Sequence, residues 1–194
     1  MADLPTIPPY SAMAIESVDM VLSSKANSGA RTVRHVGPQG FTMTLSYSEM
    51  TFEEFGAIDG FISRMINRAL PFFVTMQNRK FQGIETPQTN GWEQWGDSIT
   101  TNSWGGPART VAPAGTYFTI GGQTKLYQLA EDLDCDAGGN ADMQLTTNTH
   151  VNVEPNSLLE FHSPKMNCLA VGKHRFSVAP PEIYSYELDL EEVL

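Results

Sequence analysis

Phe41-Thr42-Met43-Thr44-Leu45-Ser46-Tyr47 alternates without a break, with Phe41, Met43, Leu45 and Tyr47 on one side and Thr42, Thr44 and Ser46 on the other. A period of two puts successive side chains on opposite faces of a strand, so the pattern predicts a half-buried strand. Directly after it, Thr51 and Glu54 have the spacing of a capping box, and Phe55, Ile58, Ile62, Met65 and Ala69 recur at helical intervals. These residues predict an amphipathic helix from about Thr51 to Leu70. Pro71 stops it, because proline cannot supply the backbone donor that a helix needs, and Phe72-Phe73-Val74-Thr75-Met76 then reads as a buried strand. The order is strand, helix, strand.

Towards the N-terminus, Pro5, Pro8 and Pro9 fix extended geometry and predict an arm rather than a helix. Ile15 to Leu22 reads as a strand, Ser23 to Gly29 as the turn that ends it, and Arg31 to Val36 as an exposed strand. Downstream, periodicity vanishes between Gln82 and Ala114, which reads as a long loop with one short strand around Trp92, Trp95 and Trp104. Phe118 to Tyr127 encloses Gly121-Gly122 and predicts a β-hairpin. Met143 to Thr146, Val151 to Val153, Arg175 to Val178 and Ile183 to Leu190 are further strand candidates, the last two separated by Pro180-Pro181. The chain has no internal repeat. The fold class is mainly β with one amphipathic α-helix.

A net charge of −10 on 194 residues, with only 12 Lys and Arg, excludes tight nucleic-acid binding, which needs clustered cations to displace phosphate counterions. The same acidity suits a surface along which DNA slides without sticking. Cys135 and Cys168 form no metal-binding or disulfide pattern and read as reduced packing residues. No stretch approaches the roughly 20 apolar residues of a membrane span, and Met1-Ala2-Asp3-Leu4-Pro5 lacks the features of a secretory signal, so synthesis in the cytoplasm is expected.

Asp132, Asp134 and Asp136 alternate like the start of a calcium loop, but Ala137 stands where its glycine belongs and Met143 where its glutamate belongs. The competing reading is a solvated turn, in which Asp, Gly and Asn tolerate the required conformations. His35, His150, His162 and His174 lack metal-type or triad-type neighbours, and neither Ser103 nor Ser177 lies in a nucleophile elbow. No catalytic residue, metal or cofactor is expected. Trp92, Trp95 and Trp104, near Asn90, Gln94 and Asn102, mix aromatic and amide groups. That mixture suits a saccharide, a subunit interface or the core of an inserted subdomain.

The order of these features resembles the distal tail and minor tail proteins of tailed bacteriophages along most of the chain. The resemblance rests on Ser28-Gly29-Ala30-Arg31, the strand at Phe41 to Tyr47, the helix and Phe72-Phe73. It continues through Pro113-Ala114-Gly115-Thr116-Tyr117, the Gly121-Gly122 hairpin, Leu126-Tyr127, the turn at Asp136 to Asn140 and the closing Glu191-Glu192-Val193. Thr116 stands where the family's lead-in has an aspartate.

The resemblance implies a tail-tube-like β-sandwich or barrel, with residues 1–85 and 164–194 as a ring domain and residues 86–163 as a β-rich insertion. It implies a non-enzymatic virion protein at the tail tip. Such a protein forms a ring, hexameric in the family, that joins the tail tube to the hub or baseplate and lines the DNA channel. A tail-tube subunit, a head-to-tail connector and a carbohydrate-binding β-module are the alternatives. Edge strands and extended arms are natural ring contacts, which singles out the arm from Leu4 to Tyr10 and the helix flank at Glu53 and Arg64.

Overall fold

The structure is a computed structural model that describes residues 2–18, 21–35, 39–76, 85–171 and 175–194. In chain order its strands are β1 (Ala2–Asp3), β2 (Ala12–Val18), β3 (Val21–Lys25), β4 (Arg31–His35), β5 (Gly40–Met50), β6 (Phe72–Thr75), β7 (Gln88–Thr89), β8 (Ser98–Asn102) and β9 (Arg109–Ala112). There follow β10 (Tyr117–Ile120), β11 (Leu126–Gln128), β12 (Leu133–Cys135), β13 (Ala141–Gln144), β14 (Leu159–Glu160), β15 (Lys165–Ala170), β16 (Arg175–Ala179) and β17 (Ile183–Glu192). The helix α1 spans Phe52–Asn67. Among the described residues the protein is mainly β with a single helix.

The chain divides into two compact units, one of residues 1–18, 40–75 and 166–193, the other of residues 19–39, 76–165 and 194. The boundaries differ from the expected 85/86 and 163/164, and segment 19–39 belongs with the second unit. Gln39 shows why: its backbone N–H donates to Thr147 Oγ1, its side chain accepts from Thr146 Oγ1, and its carbonyl accepts from Lys125 Nζ. At the other boundary, Met76 N–H bonds to the Pro164 carbonyl at 2.8 Å, within the second unit.

The first unit is one seven-stranded sheet in the order β1-β6-β15-β17-β5-β2, with β16 also paired to β17. The long strand β5 pairs with β17 on one side and β2 on the other, both antiparallel. Phe41, Met43, Leu45 and Tyr47 are buried as their alternation predicts, beside Tyr186, Leu188 and Leu190 of β17. Helix α1 contributes Ile58, Ile62 and Met65, a stripe at four- and three-residue spacing. Each such side chain contributes about 1.5–3 kcal/mol by leaving water. Aromatic pairs join helix and sheet: Phe55 stacks on Tyr184 at 4.9 Å, and Phe61 meets Phe72 edge-on at 5.4 Å.

The seven-stranded sheet of the first unit carries the helix on its apolar face. Its path ends at β1 and β2, and no pair among the described residues closes it. The helix also stops three residues earlier than expected, at Asn67. Ala69 takes a left-handed conformation (φ 48°), so that its N–H reaches Ile66 O at 2.9 Å and the Leu70 N–H reaches Met65 O at 3.0 Å. That is the Schellman closure, here with alanine in the position glycine usually occupies.

The second unit holds a five-stranded sheet, β7-β8-β13-β12-β9, a three-stranded sheet, β11-β10-β14, and the two-stranded hairpin β3-β4. Trp104, Phe118 and Phe161 lie within its core, Phe118 stacking on Phe161 at 4.8 Å and Trp104 meeting Phe161 at 5.4 Å. The predicted hairpin at Phe118 to Tyr127 is β10-β11, with Phe118 paired to Tyr127. The expected loop of residues 82–114 holds three strands, β7, β8 and β9, although residues 82–84 lie outside those described. Threonine hides the period there. Thr101 is fully buried, donating to Ala141 O at 2.9 Å and accepting from Trp104 Nε1 at 2.8 Å, so a polar residue fills a core position.

Val151 to Val153 is not a strand; it contributes one isolated bridge, Val153 to Gln94. Conversely, β15 was not legible, because Met166, Asn167 and Cys168 are buried in succession and leave no alternation. The strand expected at Ile15 to Leu22 covers parts of β2 and β3, with Asp19 and Met20 outside the described residues, as is Val36. The turn between β3 and β4 sits at residues 26–30, where Gly29 has φ 84°; Ser23 and Ser24 still pair, with Val33 and Thr32.

Candidate functional surface

Helix α1 covers one face of the seven-stranded sheet; the other carries the polar half of the alternation. Ladder partners share a face, so the register places its side chains in three rows. Ala12, Ser46, Glu187 and Arg175 form one; Ala14, Thr44 and Asp189 the next; Glu16, Thr42 and Glu191 the third. Four carboxylates thus face one guanidinium across a bed of small and hydroxyl side chains. Thr44 Oγ1 donates to Asp189 Oδ1 at 2.9 Å. Ser46, Ser177, Ser185, Arg175 and Glu187 help to line a shallow depression of about 230 Å³ in this unit.

The acidic row was legible in Glu187-Leu188-Asp189-Leu190-Glu191, where carboxylates alternate with buried leucines. Read only as a generic strand, that segment hides an electrostatic surface. Such a field repels phosphate and weakens DNA adhesion at any point along it.

The interface candidates separate. Leu4 is 7% exposed, and its N–H bonds to Phe73 O at 2.8 Å, continuing the parallel pairing of β1 with β6. It packs within its own chain, as a core residue rather than an exposed contact. Tyr10 is half-buried; Glu53 and Arg64 are exposed and stand three turns apart on one side of α1. Beyond these, β2 and β16 each have a sheet partner on one side only among the described residues, so each presents an edge.

The tryptophans separate too. Trp104 is fully buried and takes the role of insert core, whereas Trp92 and Trp95 are 58% and 62% exposed. Gln94, one of the amides that the sequence sets near them, is buried and consumed by Thr100, whose N–H and Oγ1 both donate to Gln94 Oε1 while Gln94 Nε2 donates to Thr100 O.

The three aspartates of the possible calcium loop each have an internal partner. Asp132 accepts from Ala114 N–H, Asp134 from Thr110 Oγ1, and Asp136 from the N–H groups of Gly138 and Asn140. Asparagine and backbone donors at its turn hold the Asp136 carboxyl below the usual range, as expected of a carboxylate that nucleates a turn. No group of three potential metal ligands comes together among the described residues. His174 lies outside those residues. Burial, with Glu192 adding to it, raises the Cys168 thiol well above its ordinary value and keeps it protonated in the core.

No family model matches the chain, and no curated protein does. Among the described residues no helix is long and apolar enough to cross a membrane.

Proposed function

We propose that this protein is a non-enzymatic structural subunit of a phage tail, forming a ring at the tail tip that joins the tail tube to the hub or baseplate. The observation that carries this reading is the exposed sheet face whose three rows hold Glu16, Glu187, Asp189 and Glu191 and, among the described residues of those rows, one cation, Arg175, bounded by the edge strand β2. Pairing of that edge with an edge of the next copy is a head-to-tail contact, and such contacts generate rings when the rotation closes. The acidic face then lines a channel over which DNA passes without adhering, and α1 faces outward.

The hairpin β3-β4 supports assembly as well. It is exposed from Leu22 to Lys25 and from Arg31 to Arg34, with Leu22 and Val33 in water, and carries Lys25, Arg31 and Arg34 with no acidic residue between Val21 and His35. A lone two-stranded ribbon is marginal in water, and a cationic one on an acidic protein fits a neighbouring copy's carboxylates.

Light scattering over a concentration series, with negative-stain images of the same samples, tests the proposal. Closed rings of one size are expected, six subunits by the family resemblance. Long stacked polymers would identify a tube subunit instead, and a monomer at every concentration, with and without tail-tube and hub proteins, would overturn the assembly role.

A further inference from the structure

We propose that the loop bearing Trp92 and Trp95 is a binding platform for neutral saccharides. The inference stands on the second unit alone and does not depend on ring formation.

The loop is built as a stiff support. Gln94 and Val153 exchange backbone hydrogen bonds at 3.1 and 2.9 Å, Thr149 N–H bonds to Gly96 O at 2.8 Å, and Gly96 N–H bonds to Thr149 Oγ1 at 3.3 Å. Gly96 has φ 116°, a conformation closed to residues with a side chain. The buried Gln94 amide locks the same segment to Thr100 through three further bonds. Nothing in this scaffolding uses the two indoles. A protein that holds its third tryptophan fully buried and hydrogen-bonded, yet keeps two in water on an anchored loop, is presenting them.

What surrounds them defines the ligand. Gln94 and Val153 point inward, so their sequence neighbours Glu93, Trp95, Asn152 and Glu154 point outward from the ribbon, and all four are exposed. The Glu93, Asn152 and Glu154 side chains have no hydrogen-bond partner among the described residues. The Trp95 ring beside free carboxylate and amide groups calls for a ligand with an apolar ring face and hydroxyl donors, which describes a pyranose stacked on indole. Glu93, Glu154 and the exposed Asp97 repel an anionic sugar. The class is therefore neutral oligosaccharide. Because the loop is already ordered, little conformational entropy is lost on binding.

The full-length protein, fluorescently labelled, is applied to an array of neutral and anionic glycans. The strongest neutral binder, together with cellohexaose, chitohexaose, maltohexaose and hexagalacturonate, is then titrated against the unlabelled protein by tryptophan emission and iodide quenching. A blue shift with loss of quenching on a neutral glycan is expected, and Trp92→Ala and Trp95→Ala should each weaken binding at least about tenfold, or about 1.4 kcal/mol, without changing the circular dichroism. Absence of signal for every neutral glycan, binding of anionic glycans alone, or a shift that persists in the Trp92→Ala/Trp95→Ala double variant would overturn the proposal.

Discussion

Thr44 and Asp189 sit directly opposite each other on β5 and β17, and the threonine hydroxyl donates to the aspartate carboxylate across 2.9 Å. The bond ties the acidic row of β17 to the hydroxyl row of β5 at the middle of the sheet's open face. Both residues are half-buried, so water only partly replaces the bond when it is lost. Thr44→Val should cost about 0.5–1.5 kcal/mol by urea denaturation. Replacing Glu187, Asp189 and Glu191 together by Lys should leave the circular dichroism unchanged but create salt-sensitive retention on a duplex-DNA column, where the native protein flows through. Retention of the native protein at physiological salt would contradict the non-adhesive role of this face.

The N-terminus of α1 should respond to acid. Thr51 N–H donates to Glu54 Oε2 at 2.8 Å and Thr51 Oγ1 to the same oxygen at 3.0 Å, and these bonds hold the Glu54 carboxyl below its unfolded value of 4.5. A lowered value means that the stabilisation is fully present above pH 4.5 and fades as pH falls through the folded value. Glu54→Gln should flatten the stability profile in that window. Thr51→Ala, which removes the side-chain cap, should cost about 1 kcal/mol at neutral pH.

Ala69 holds a left-handed conformation at the other end of α1 and is exposed. A Cβ in that region costs roughly 1–2 kcal/mol, while glycine loses somewhat more entropy on folding. Ala69→Gly should therefore raise stability by about 0.5–1 kcal/mol in thermal or urea unfolding. A loss of stability would show that the closure at Ile66 and Met65 is not limited by alanine strain.

Burial, with Tyr10 and Tyr186 nearby, pushes the Tyr47 phenol up to about 12; burial and Asp59 do the same to Tyr186. Both are neutral in the fold, so the stabilisation is complete below pH 10 and disappears as pH climbs towards 12. Tyrosinate absorbance should rise in two stages, the exposed phenols first and the buried pair only with loss of near-ultraviolet dichroism. Tyr47→Phe should shift the second stage to higher pH.

Trp104 fills the core of the second unit between Thr101 and Phe161. Trp104→Ala should destabilise that unit by about 3–5 kcal/mol through the cavity and the lost hydrogen bond. Trp92→Ala should change stability by less than about 0.5 kcal/mol. Comparable losses in both would mean that the exposed indole supports the fold.

The sequence alone determined the helix, its cap, the strand at Phe41 to Tyr47 and the β10-β11 hairpin. In each, hydrophobic period, capping chemistry and turn residues act over a few neighbours and agree with one another. It determined the acidity as well, and it contained the alternation of Glu187, Asp189 and Glu191. Only the tertiary structure decided that those carboxylates join Glu16 and the threonines of β5 in one field, because ladder register is a contact between distant segments. Tertiary structure also separated Trp104 from Trp92 and Trp95, three residues alike in composition and setting. Burial is set by what packs from elsewhere in the chain: Thr101 and Phe161 enclose one indole, and the bridge from Gln94 to Val153 holds the loop that leaves the other two in water.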